Sequence, residues 1–212
     1  MKQSEILHII LAIFILAIIV GFNSIINFNI IKIGLALLFA FVIITANIFG
    51  KRIMASHLDA GVEHKILLWS RFGLKPGWHI EKPIPLGIIL PLVITAFSIG
   101  AIKVMTILTY ETTVLKRRAA KRHGFYSFTE MTEWHNALVG AAGIVAVLIV
   151  SFIAYWIPGI SPLSRFAAYY AFWNLIPLSK LDGTQIFFGS RILWTTLAII
   201  TLIFVGYALL LV

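Results

Sequence analysis

Long apolar runs set the terms for this chain. Ile6–Phe22, Ile33–Phe49, Leu86–Ile102, Ala137–Ile157 and Ile192–Val212 each reach about 17 residues, the lower limit for crossing a bilayer as a helix. A sixth run, Phe166–Leu178, is shorter and is interrupted by Asn174 and Pro177. Of the 212 residues, 60% are hydrophobic and 12% charged, with a mean hydropathy of +1.00. Soluble domains run nearer half apolar and a quarter charged. The expectation is an all-α polytopic membrane protein of five or six transmembrane helices, forming one integral membrane domain over residues 1–212. The first run lacks a small-x-small cleavage site and leads into another apolar run, so it reads as a retained helix rather than a signal peptide.

The net charge of +9 is read as topology. Cytoplasmic loops of membrane proteins carry the excess of Lys and Arg. The doubtful run is Pro83–Lys103, PIPLGIILPLVITAFSIGAIK, with prolines at 83, 85 and 91. If it spans, the basic stretches before and after it fall on opposite sides. If it is re-entrant over residues 83–103, residues 50–135 share one side and carry twelve of the seventeen Lys and Arg residues. Lys2, Lys180 and Arg191 join them, leaving chiefly Arg165 and Lys32 opposite. The re-entrant reading satisfies the rule better and places the N-terminus and residues 50–135 in the cytoplasm, in an integral cell-membrane protein. The bases are not interleaved with aromatics, so no nucleic-acid partner is expected. The basic run Lys116–His123 reads as a topological anchor against lipid headgroups. Tyr155, Trp156, Tyr169, Tyr170 and Trp173 read as an interfacial aromatic belt. There is no cysteine, which excludes disulfides and thiol nucleophiles.

Asp182 is the only acidic residue between residue 136 and the end of the chain. An ionisable group within a membrane is costly and marks a functional site by default. Just before it, Pro177 lacks the amide hydrogen a helix needs, so the backbone should turn irregular there. Irregular backbone at membrane depth persists only where protein or a cavity surrounds it. One reading of Asp182 is a cap on a helix starting near Thr184, accepting backbone amides.

Asn174 to Gly183, NLIPLSKLDG, resembles the N-x-x-P-x-x-x-L-D-G signature of the site-2 protease family, the intramembrane zinc metalloproteases. The resemblance implies that Asp182 stands where the family has its third zinc ligand. It also implies that Asn174, Pro177 and Gly183 stand in the substrate-binding element. The other two ligands are the histidines of HExxH on an earlier helix, where i and i+4 share one face. Three protein ligands then leave a position open for water. Ala46–Gly73 follows the course of that region: Ala55 fits the small residue after the motif, Gly61-Val62-Glu63 the start of a short strand near residues 62–69, and Phe72-Gly73 the turn. This register puts Asn47-Ile48-Phe49-Gly50-Lys51 on HExxH, without either histidine or the glutamate. TEWHNALVGAAGIVAVLIV, from Thr132, resembles a third family helix at Glu133, Ala137, Leu138 and Gly140. Its proline and asparagine are replaced by apolar residues, among them Ile144 and Val147. The resemblance covers roughly residues 36–190.

These positions imply a degenerate member of the family. Asn47, Ile48 and Lys51 occupy motif positions without the chemistry of ligands. Lys51, with Asn47 as a hydrogen-bond donor, is expected to neutralise Asp182 in place of a metal. His57 and His64 are the alternative ligands for a zinc held by Asp182. They are seven apart, about 10 Å along a helix, and with Glu63 they read as solvated interfacial residues. The leading functional expectation is a pseudoprotease with no cofactor, embedded in the lipid bilayer and binding a transmembrane helix or membrane-protein partner. The alternatives are an active metalloprotease holding zinc through unconventional ligands, and a small transporter or transporter subunit.

Overall fold

In the computed structural model of the protein, residues 3–71, 79–115 and 131–211 are described. Among them, four helices have the length and apolarity to cross a membrane, fewer than the five or six segments read from the sequence. They are α1 (Gln3–Ile26), α2 (Ile30–His57), α4 (Glu133–Trp156) and α7 (Arg191–Leu211). The two runs that fall short form α3 (Leu86–Phe97) and α5 (Ser161–Leu175), and α6 (Asp182–Gly189) is a single short helix. At 1.5 Å per residue, α3 is about 18 Å long and α5 about 22 Å, short of the ~30 Å hydrocarbon core.

The fold is not all helix. Strands β1 (Ala60–Ile66) and β4 (Leu108–Val114) pair antiparallel, with Ala60 opposite Val114 and Ile66 opposite Leu108. Strands β2 (Trp69–Arg71) and β3 (His79–Ile84) form a second antiparallel pair. The short strand expected near 62–69 is therefore present, with partners that the apolar pattern did not reveal. Glu63 and Glu111 are directly opposed across β1 and β4, and Lys65 reaches diagonally to the Glu111 carboxylate at 2.5 Å, the arrangement that relieves a like-charge pair on a sheet. Phe72-Gly73 and the basic run Lys116–His123 lie outside the described residues.

The helices form an antiparallel bundle with small residues at the crossings. Asn29 caps α2 by accepting the Lys32 amide at 3.2 Å. The following turns of α2 bury Ala36, Phe39, Ala40, Ile43 and Ile44 against α1 and its neighbours. Helix α4 starts at Thr132, whose hydroxyl accepts the His135 amide, and buries Ile144 and Val147 completely. Those are among the apolar residues that replace the proline and asparagine of the family resemblance, and they are plain core. Tyr170 is also core, 1% exposed, which removes it from the expected aromatic belt. It lies on the buried face of α5 with Ala167, Ala171 and Asn174, a helical spacing that outweighs its aromatic character.

Residues 86–107 leave the strands and come back to the same place. The Gly87 amide donates to the Leu67 carbonyl at 2.9 Å, and the Leu67 amide donates to the Ile107 carbonyl at 3.0 Å. Both ends of the excursion are thus fastened to one residue at the end of β1. Gly87 permits this, because a Cβ there would lie 2.3 Å from the Ile107 carbonyl oxygen. The far tip reaches the other end of α1, where Gly100 packs against Phe22 and Asn23.

Candidate functional site

Two elements separated by more than a hundred residues converge between α2 and α6. Helix α5 stops at Leu175, before Pro177, and residues 176–181 run without regular structure until α6 begins at Asp182. Asn174 holds the broken end in place: its amide nitrogen donates to the Tyr170 carbonyl at 2.8 Å and the Met105 carbonyl at 3.2 Å. Gly183 lets the two helices touch, since a Cβ there would lie 2.0 Å from the Leu175 carbonyl oxygen. Pro177 is exposed. Asn174 and Gly183 are both buried and shape the backbone at the break.

Asp182 does not cap a helix through its side chain. It is the first residue of α6, the N-cap position is Leu181, and no side-chain cap bond is made. The carboxylate turns instead to α2, where Lys51 Nζ stands 2.7 Å from Asp182 Oδ2, each side chain only 1% exposed. Low local dielectric strengthens such a pair, and complete burial makes either partner costly alone. The ammonium also lies 4.6 Å from the centre of the Tyr110 ring, within range of a cation–π contact. Tyr110 comes from β4 and is fixed by donating its hydroxyl to the Asn136 carbonyl at 2.6 Å. Gly143 of α4 closes the remaining side, where a Cβ would fall 2.7 Å from Lys51 Cε and 3.0 Å from Asn47 Nδ2.

Asn47 sits one turn before Lys51, 1% exposed. It is within interaction range of the Asp182 carboxylate, but neither of its amide atoms is in hydrogen-bond geometry. Lys51 carries the neutralisation, with the Asn47 amide beside the same carboxylate. Ile48 is core, 8% exposed. Asp182 Oδ1 and Asn174 Oδ1 are likewise buried outside hydrogen-bond geometry.

The two histidines separate. His57 is the last residue of α2 and is exposed, six residues and about 9 Å beyond Lys51. His64 lies on β1 with 0% exposure, which overturns its reading as a solvated residue. Its Nδ1 meets Glu5 Oε1 at 3.1 Å, and Glu5 in turn accepts from Arg52 Nη2 at 2.9 Å. Burial and the nearby positive charge of Lys51 push the His64 imidazole down to about 4. The neutral ring then donates from Nδ1 to Glu5. This chain of Arg52, Glu5 and His64 joins α1, α2 and β1, and nothing in local sequence spacing pointed to it.

The donor set does not suit zinc. The one carboxylate at the crossing is engaged by an ammonium, which cannot ligate while protonated, and its other neighbour is an amide. Among the described residues no three His, Cys, Asp or Glu side chains group so as to hold a metal ion.

Beside the pair, a cleft of about 550 Å³ runs between β4 and α6, lined by Tyr110, Thr112, Asn136, Lys180, Thr184 and Gln185 among others. One edge of β4 is taken by β1. On the other edge the Tyr110 carbonyl accepts from Gln185 Nε2 at 3.0 Å. Backbone groups alternate along a strand, so those of Thr112 point the same way, toward the cleft. Compared with known proteins, the chain matches no family model, no curated protein and no solved structure.

Proposed function

We propose that this chain is a site-2-protease-like pseudoprotease: a membrane protein that binds a segment of another membrane protein and does not cut it. The observation that carries the reading is the buried Lys51–Asp182 pair. The two stretches whose resemblance would make them ligand-bearing do meet, and they meet as cation and anion. An ammonium stands where a metal would activate water, and no glutamate within residues 47–51 could serve as general base. The partner is received at the edge of β4 away from β1, around Thr112, where an extended segment adds as a strand and its side chains enter the cleft beside α6. Residues 50–135 lie on the cytoplasmic side, with 86–107 as a re-entrant excursion. Its two ends sharing Leu67 supports that topology. An active metalloprotease built on His57 and His64 has no support in their positions.

The test combines metal content with capture. Purified protein should hold no stoichiometric zinc after dialysis against a weak chelator, and should leave transmembrane test peptides intact. A photo-crosslinking residue at Thr112 should capture a membrane-protein segment in its native membrane, and one at the lipid-facing Ile199 should not. Stoichiometric zinc lost on Asp182→Ala, or cleavage of a test peptide, overturns the reading.

A further inference from the structure

At the end of the bundle away from β1 and β4, two cations stand close to each other, and among the described residues no carboxylate pairs with either. We propose that Lys103 and Arg165 form a binding site for the phosphate headgroup of an anionic lipid in the leaflet opposite the strands.

Lys103 follows the tip of the 86–107 excursion and is partly buried. Its Nζ donates to the Val20 carbonyl at 3.3 Å and lies 4.8 Å from the centre of the Phe166 ring. Val20 is six residues before the end of α1 at Ile26, which puts the ammonium about 9 Å inside the helix end. Arg165, in the second turn of α5, is close enough for its charge to act on Lys103. Its Nε is buried outside hydrogen-bond geometry. A carbonyl and an aromatic ring stabilise an ammonium without cancelling its charge, so the two cations repel across a poorly solvated space.

Among the described residues, no carboxylate forms an ion pair with Lys103 or Arg165. Charges at membrane depth are normally paired. A phosphate suits this couple, because a guanidinium offers a planar fork and an ammonium a mobile point charge. The surroundings select a lipid over a dissolved anion. Phe97 and Ile99 at the tip of the excursion are 86% and 73% exposed, and Phe28, Ile30 and Ile31 at the α1–α2 turn are 79% exposed or more. A headgroup arriving with its own acyl chains covers that apolar rim.

The experiment uses the full chain in neutral detergent, with phosphatidylglycerol added and retained lipid counted by native mass spectrometry. Wild type should keep one phosphatidylglycerol through detergent exchange. Lys103→Met with Arg165→Gln should weaken retention by about tenfold or more. Lys32→Gln, which removes an exposed cation at the same end, should leave it unchanged. Inorganic phosphate at the same concentration should not displace the lipid. Should the double variant fail to fold, Arg165→Gln alone should lose the lipid while Lys103→Arg keeps it. Equal retention by wild type and the charge-removed variants, or displacement by inorganic phosphate, overturns the proposal.

Discussion

Gly143 faces Lys51 so closely that a single methyl group on the glycine would lie 2.7 Å from the lysine Cε. The ion pair therefore has a wall as well as a partner. Gly143→Ala forces the lysine stem aside, and overpacking of this kind costs ~1–3 kcal/mol. The melting temperature in detergent should fall. In a Lys51→Ala background, where the stem is gone, the same substitution should cost much less. Equal losses in the two backgrounds would show that Gly143 is felt by something other than Lys51.

The pair itself calls for a double-mutant cycle. Lys51→Met and Asp182→Leu each leave one buried charge without its partner, a loss of ~3–5 kcal/mol, and replacing both with apolar side chains can be near neutral. Each single variant should melt at lower temperature, and the double variant should regain much of the loss. Strict additivity of the two single effects would mean that the charges do not depend on one another.

Residues 86–107 predict a labelling pattern. Lys82 and Thr113 are exposed on β3 and β4, on either side of the excursion. Single cysteines at these two positions should react with an impermeant thiol reagent from the same side of the membrane. Reaction from opposite sides would make the segment a complete crossing.

His64 gives a pH dependence with a definite sign. Its imidazole titrates at about 4 in the folded chain and near 6.5 when unfolded. The unfolded state therefore binds more protons between those values, and stability rises with pH across that window. The contribution is fully present above about pH 6.5 and is lost as pH falls toward 4. It amounts to ~3 kcal/mol at most. His64→Gln should flatten the rise in melting temperature between pH 4.5 and 6.5 relative to wild type, all else being equal. An unchanged slope would remove His64 as its source.

How far the sequence led depends on the range of the interaction concerned. The apolar runs and the break at Pro177 are local: each run holds a helix, but only four of the helices are long and apolar enough to cross a membrane. The meeting of Lys51 with Asp182 was legible only through one retained motif and one eroded one, because charge economy in an apolar setting leaves few partners. Asp182 as a cap was a sound local reading. It failed because the helix starts at Asp182 itself, which leaves the carboxylate free to face α2. Glu5 with His64 and Arg52, and Tyr110 under Lys51, are contacts made by folding alone. His64 looked solvated from its polar neighbours, yet β1 alternates and turns that side chain inward.

The double attachment at Leu67 has a consequence for how the chain counts its crossings. In the proposed topology, an excursion that leaves and returns at one residue is neutral in parity: however deep the tip lies, α4 begins on the side where α2 ended. Lengthening or shortening the segment between Gly87 and Ile107 would change its depth and leave the orientation of every later helix untouched, provided the two hydrogen bonds to Leu67 remain. Depth and orientation, which a transmembrane helix ties together, are here set independently.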